Sequence, residues 1–167
     1  MTCIYTPLRT ECLDNTKWFR LIEPFVFDSS VLRKYGLRSR IEGPAGFVYD
    51  FESIPFFRGS NIRAGTAHDI LCRKNVCPGI TKAIAAEVYF EIMEYCNLID
   101  VGRFEKEDHP WIPDPIVTPV VIFRDWTKRW FKWGVVRVWP GYWQKFDLMA
   151  TAEEIIGLKA DPYIKRG

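Results

Sequence analysis

The side chains best suited to chemistry are Asp50, the adjacent pair His68 and Asp69, and Glu91, which stands four residues after Glu87. Histidine changes charge near neutral pH and is the commonest metal ligand. Neighbouring residues on a helix point about 100° apart, so one of His68 and Asp69 can face inward while the other faces a cleft. Glu87 and Glu91 share a helix face. A carboxylate beside apolar surface is costly unless paired, and two together raise at least one pKa, which suits general acid catalysis. Asp50, His68, Asp69 and Glu91 are therefore the candidate catalytic set, as a His/carboxylate site in a small hydrolase. Each also has a structural reading. Asp50 can cap a turn, and His68 can be a core imidazole satisfied by a carboxylate. Asp69 can bond to Arg63 or Arg73, and Glu87 and Glu91 can bridge to a neighbouring Arg or Lys.

Other chemistries are bounded by counting. His68 and His109 are the two histidines, too few for a multi-His zinc site. A carboxylate site for Mg²⁺, Mn²⁺ or Ca²⁺ stays open. There is no Walker motif and no G-x-G-x-x-G, so no nucleotide or flavin is expected. Ser53 lacks a G-x-S-x-G frame. Cys72 follows His68 by one helical turn, so contact between them is allowed. A reactive thiolate needs an electropositive setting, and Asp69 works against that. The cysteines are Cys3, Cys12, Cys72, Cys77 and Cys96. Their odd number and the lack of a C-x-x-C pair point to reduced thiols, with a Cys72–Cys77 bridge as the alternative.

Three stretches stand together in order and spacing: Gly-Pro-Ala-Gly-Phe-Val-Tyr-Asp-Phe-Glu-Ser-Ile-Pro from Gly43, Ala-His-Asp-Ile-Leu-Cys from Ala67, and Ala-Ala-Glu-Val-Tyr-Phe-Glu-Ile-Met from Ala85. They resemble the domain of unknown function 1353, a family of tailed phages and prophages. Its pattern reads P-A-G-F-x-T-D-F-A-S-I-P, then H-D-x-L-Y, then A-D-x-x-F-x-x-A-M. The resemblance is good from Ile41 to Met93 and loose from Trp126 to Val138. Tyr49 stands where Thr is usual, Glu52 for Ala, Cys72 for Tyr and Glu87 for Asp. The resemblance implies a phage setting and little about activity. The readings it leaves are a hydrolase, or a structural or accessory virion protein of tail or baseplate whose polar cluster organises the interior.

The elements that must position these residues follow from pattern. Trp18 to Ile22, Phe25 to Phe27 and Phe47 to Phe51 are short β-favouring runs, and Gly43 to Gly46 is a turn. A helix is expected from Ile62 to Lys74 and another from Ile80 to Asn97. The second presents Ile84, Val88, Ile92 and Tyr95 as one apolar face, with Ala83, Phe90 and Met93 elsewhere on the wheel. Residues 102–118 read as a Pro-rich exposed loop. Asp125 can cap a helix from Trp126 to Val138. A short helix is expected around Ala152 to Gly157, and residues 158–167 read as a frayed tail. The fold class is α+β: one domain over residues 1–167, with a small N-terminal antiparallel sheet or hairpins packed against two or three helices, and with Asp50, His68 and Asp69 in one cluster.

Trp126, Trp130 and Trp133 share a helical face flanked by Lys128, Arg129 and Lys132. That face is either core or a contact surface for other virion proteins, a glycan or a membrane; Trp130 is expected inside and Trp126 and Trp133 at a half-wet edge. A net charge of +2 argues against general nucleic-acid binding. No run of about 18 apolar residues could span a bilayer, and the N-terminal residues carry no apolar signal-peptide core. The expected location is the host cytoplasm or the virion.

Overall fold

The computed structural model describes residues 2–13, 18–50, 62–107, 130, 131, 134, 143–151, 154 and 155, with side chains described to residue 96 in the long helix. Among the described residues, six short strands and three helices follow one another: β1 (Cys3–Ile4), β2 (Thr10–Cys12), β3 (Trp18–Leu21), β4 (Phe25–Asp28), α1 (Ser30–Lys34), β5 (Arg40–Gly43), β6 (Val48–Asp50), α2 (Ile62–Leu71) and α3 (Lys82–Glu107). The strands form two antiparallel three-stranded sheets, ordered β1-β4-β5 and β2-β3-β6. This is the expected α+β arrangement of small antiparallel sheets packed with helices.

Register explains which side chains go inside. Phe27 pairs with Ile41 across β4 and β5, and Phe19 with Tyr49 across β3 and β6. Phe25, Phe27, Phe47 and Tyr49 are fully buried, and they pack with Leu21, Leu32, Ile41, Ile70, Val88 and Ile92 in one core. The two sheets are tied at the turn after β5. Phe47 N–H donates to the Pro44 carbonyl at 3.1 Å, and Gly46 N–H donates to the Leu21 carbonyl at 2.8 Å. Gly46 has φ +86°, the left-handed value that a Gly tolerates at the third position of such a turn. Gly43 is needed for space instead. A Cβ there would lie 2.4 Å from Ile70 Cδ1, so β5 meets α2 nearly backbone to side chain.

Helix α1 was not anticipated. Five residues carry almost no periodic signal, and its ends hold it. Ser29 caps the start by accepting from Leu32 N–H at 3.2 Å. Gly36, at φ +68°, closes the end: Leu37 N–H reaches the Leu32 carbonyl and Gly36 N–H the Arg33 carbonyl, both at 3.0 Å, the Schellman pattern. Helix α2 stops at Leu71, short of the expected Lys74.

Helix α3 starts behind Thr81, whose hydroxyl accepts from Ile84 N–H at 3.3 Å. It runs to Glu107, past the expected end at Asn97, so residues 102–107 are helical and not loop. A single Gly102 costs only about 1 kcal/mol against Ala; Pro110 is the first residue that cannot continue a helix. Residues 108–118 of the expected loop lie outside the described residues, as do His109 and residues 158–167. The buried residues of α3 are Ala85, Ala86, Val88, Tyr89, Ile92, Met93 and Cys96, with Ile84 and Tyr95 only partly covered at the border. The apolar face is thus rotated from the expected one.

The C-terminal segment returns to the end of α2. Gln144 N–H donates to the Cys72 carbonyl at 2.7 Å, and Lys74 N–H to the Phe146 carbonyl at 2.9 Å. Thr151 and Glu154 form a reciprocal capping box, with side chain to backbone bonds of 2.8 and 3.3 Å, where the short C-terminal helix was expected. No disulfide joins any of the five cysteines. Among the described residues no helix is long and apolar enough to cross a membrane.

Candidate functional site

Helix α2 packs extensively on α3 and touches β5, and Arg73, just beyond its end, bonds to Val48 of β6. His68 lies on the last full turn. Its ring meets the Tyr89 ring edge-on with centroids 5.8 Å apart. Its Nδ1 is 3.8 Å from Asp69 Oδ1, and the two side chains are 20% and 27% exposed. Both therefore sit at the boundary of the core with an edge open to solvent. Cys72 Sγ is 3.6 Å from His68 Nδ1 and 3.7 Å from Nε2. A thiol in line with one ring N–H would be much farther from the other nitrogen, so the sulfur contacts the ring broadly instead of making a linear hydrogen bond.

Arg73 comes next and turns inward. It is 7% exposed. Its Nη2 donates to the Val48 carbonyl at 2.6 Å, and its guanidinium lies 5.0 Å from the Phe47 ring centre and 5.6 Å from that of Phe146. A buried cation is costly unless compensated, and burial does lower its pKa; Asp69, Cys72 and Asp50 pull the other way. Asp50, at the end of β6, also acts on Asp69: burial raises the Asp69 pKa and the Asp50 charge adds to it, while His68 and Arg73 oppose. For His68, burial disfavours the charged ring, but Cys72 and Asp69 outweigh it and raise the pKa to about 10. Burial pushes the Tyr49 phenol up to about 12, with the Thr66 and Thr10 hydroxyls pulling back, so Tyr49 is a neutral neighbour at physiological pH.

His68, Asp69, Cys72 and Arg73 thus follow one another at the end of α2, and Asp50 acts electrostatically on Asp69 and Arg73. Glu91 is elsewhere. Its carboxylate accepts from Ser29 Oγ at 2.5 Å, Ser30 N–H at 2.9 Å, Val31 N–H at 3.3 Å and the Ser30 hydroxyl. Glu91 therefore secures the start of α1, where a negative charge also meets the helix dipole favourably. Glu87 accepts from Tyr35 Oη at 3.1 Å on both oxygens. Both glutamates bear on α1, Glu91 at its start and Glu87 at the C-capping residue Tyr35; their partners are hydroxyls and amides in place of the expected Arg or Lys. The shared-face spacing was readable, but the helix they face was not.

Arg73 entered the sequence reading only as one of two partners for Asp69. Nothing local marks it as buried, because Val48, Phe47 and Phe146 come from distant parts of the chain. A cavity of about 390 Å³ opens beside the α2–α3 connection, lined by Arg38, Glu42, Lys74, Asn75 and Leu148 among others. The His68 group is not part of its lining. Among the described residues no group of three or more His, Cys, Asp or Glu is arranged to hold a metal ion.

Of the tryptophan face, Trp126 and Trp133 lie outside the described residues, as does Asp125. Trp130 is 44% exposed, against the expectation of a core position. It rests on Phe90 of α3 with ring centroids 5.2 Å apart. Phe90 is itself only partly covered, so this contact lies at the rim of the core. Phe131 is exposed as well.

No family model, curated protein or solved structure matches this chain.

Proposed function

We propose that this chain is a small phage-associated hydrolase in which His68 is the acid–base group, Asp69 keeps the imidazole charged, and Asp50 is the second carboxylate. The observation that supports it most is the grouping of ionisable residues from two separate motifs, with His68 and Asp69 retaining solvent-open edges. Ionisable groups with perturbed pKa values gather at functional sites, and His68 and Asp69 are both perturbed. With its raised pKa the ring starts the cycle protonated, so its first role is to give a proton to a leaving group. The phage association rests on the motif resemblance.

The test is turnover of a chromogenic panel of carboxylic esters, phosphoesters and glycosides by the purified chain. The wild type is compared with His68→Asn, with folding checked by circular dichroism. Hydrolysis of one class, lost in the variant, is the expected result; turnover that survives in His68→Asn refutes the assignment. Parallel runs with Mg²⁺ and with EDTA report any divalent cation held by the Asp50 and Asp69 carboxylates.

A second reading has its own supporting observation. Arg73 is a buried clamp, and Asp50 and Asp69 then serve as its counter-charges in a non-enzymatic virion component of tail or baseplate. The exposed Trp130 and Phe131 would offer contact to other virion proteins. This reading explains the carboxylates and leaves the His68–Cys72 contact without a purpose. Mass spectrometry of purified phage particles finds the chain in the virion if this reading holds.

A further inference from the structure

We propose that the outer edge of β5 is a peptide-binding site, where a short extended segment pairs antiparallel with Glu42 and sets its C-terminal carboxylate between Arg38 and Lys74. The site is the cavity of about 390 Å³ beside the α2–α3 connection, and it stands apart from the His68 reading.

Register shows which backbone groups of β5 are open. Among the described residues β5 is an edge strand, paired with β4 alone. Tyr5 N–H donates to the Val26 carbonyl at 3.0 Å, and Val26 N–H donates to Thr6 Oγ1 at 2.8 Å. Both backbone groups of Val26 are thus used on the β1 side. Glu42 is the residue opposite Val26 in β5. At such a position an antiparallel pair exchanges no hydrogen bonds, so the N–H and C=O of Glu42 point away from β4. Neither has a hydrogen-bond partner among the described residues. An open donor and acceptor on an edge strand are a template for one more strand.

The cavity lies along that edge, with Ile41, Glu42 and Pro44 in its lining. The α2–α3 connection forms the facing wall, and Leu148 of the C-terminal segment adds to it. That segment is fixed there by the 2.9 Å bond from Lys74 N–H to the Phe146 carbonyl. Pro44, Val76 and Leu148 are half-buried, so they offer apolar surface to a side chain of the bound segment. The volume falls in the range of sites that enclose a small ligand, roughly 300–1,000 Å³, which limits the segment to a few residues.

Charge selects the end of the peptide. Arg38 and Lys74 are exposed and line the cavity, and neither has an ion-pair partner among the described residues. Burial raises the Cys77 pKa and the Arg38 charge opposes it, so the guanidinium charge reaches the α2–α3 connection, where Lys74 also stands. Glu42 is the one carboxylate among the lining residues, which leaves the lining one positive charge in excess. Arg38 precedes the start of β5 at Arg40. A strand laid antiparallel on β5 ends at that point, so its terminal carboxylate meets the two cations, in the charge-assisted contact that Arg favours. A parallel strand would bring an ammonium there, against like charge. A lone small acid would leave the Glu42 backbone pair unused.

The experiment is titration of the ¹⁵N-labelled full chain with the peptide acetyl-Val-Val-Leu, read from amide shifts. Its C-terminal amide, acetyl-Val-Glu-Val-amide and sodium acetate are the comparisons. Saturable shifts at millimolar peptide should centre on the Glu42 amide and the α2–α3 connection. The C-terminal amide should bind about tenfold more weakly, and Arg38→Gln should weaken the free acid by a similar factor, as loss of a charged hydrogen bond implies. Both changed positions are exposed, and an unchanged spectrum away from the cavity confirms that the variant folds. Lys74→Gln serves as a second variant with the same expectation. Equal affinity for acid and amide, shifts centred elsewhere, or no saturation overturns the proposal. Tighter binding of acetyl-Val-Glu-Val-amide than of the free acid overturns the terminal carboxylate. Acetate acting as strongly as the peptide overturns the strand pairing.

Discussion

Replacing Arg73 with Met removes the cation while keeping most of the stem. Arg73 as a whole is 7% exposed, so little water reaches it. Three interactions go together: the 2.6 Å bond to the Val48 carbonyl, the contacts with Phe47 and Phe146, and the compensation of Asp69 and Asp50. A charged hydrogen bond contributes about 1.5–3 kcal/mol, and breaking a buried ionic group by deleting one partner costs about 3–5 kcal/mol in all, because the other charge is stranded. The larger figure already includes the smaller. The loss is a sizeable share of the roughly 5–15 kcal/mol that holds a domain together. Urea unfolding followed by circular dichroism should show the midpoint lowered by about 2 M. The added change Asp69→Asn removes a stranded carboxylate and should return about 1–2 kcal/mol. A loss below about 1 kcal/mol in Arg73→Met, or no recovery in the double variant, would show that the carboxylates do not depend on this cation.

Gly43→Ala forces a methyl to 2.4 Å from Ile70 Cδ1 and should cost about 1–3 kcal/mol by overpacking; adding Ile70→Val should recover part of it in a double-mutant cycle by thermal melts. Glu91→Ala strips the start of α1 of its acceptor and should cost about 2–3 kcal/mol, while any hydrolytic activity per folded molecule stays unchanged; a selective loss of turnover would restore Glu91 to the catalytic set. Stability should fall as pH rises from neutral. The His68 pKa is raised on folding, so its contribution is complete below the unfolded value of about 6.5 and disappears as pH passes about 10. Asp69, also raised, has the same sign from its unfolded value upward, so denaturation midpoints measured against pH should decline more gently for His68→Asn than for wild type.

The strands at Trp18, Phe25 and Val48, the turn at Gly46 and the two longer helices were legible in the sequence because each depends on neighbours within a few residues. Bulky alternating runs, a Gly at a turn and a 3.6-residue period are local properties. The nearness of His68, Asp69 and Cys72 was legible for the same reason, since one helix spaces them. The electrostatic effect of Asp50 on Asp69 and Arg73 runs between separate elements, so local physics could not supply it. Helix α1 escaped because so short an element is held by its caps and by Glu91, reaching back across the chain from α3. The exact face of α3 was missed by one step of rotation, since nearly every side of that helix carries apolar residues and only the partners α1 and α2 decide which are covered. Arg73 reads as an ordinary surface cation until strand β6, the turn before it and Phe146 close around it. Burial of a charge is a property of the assembled core, and no arrangement of adjacent residues encodes it.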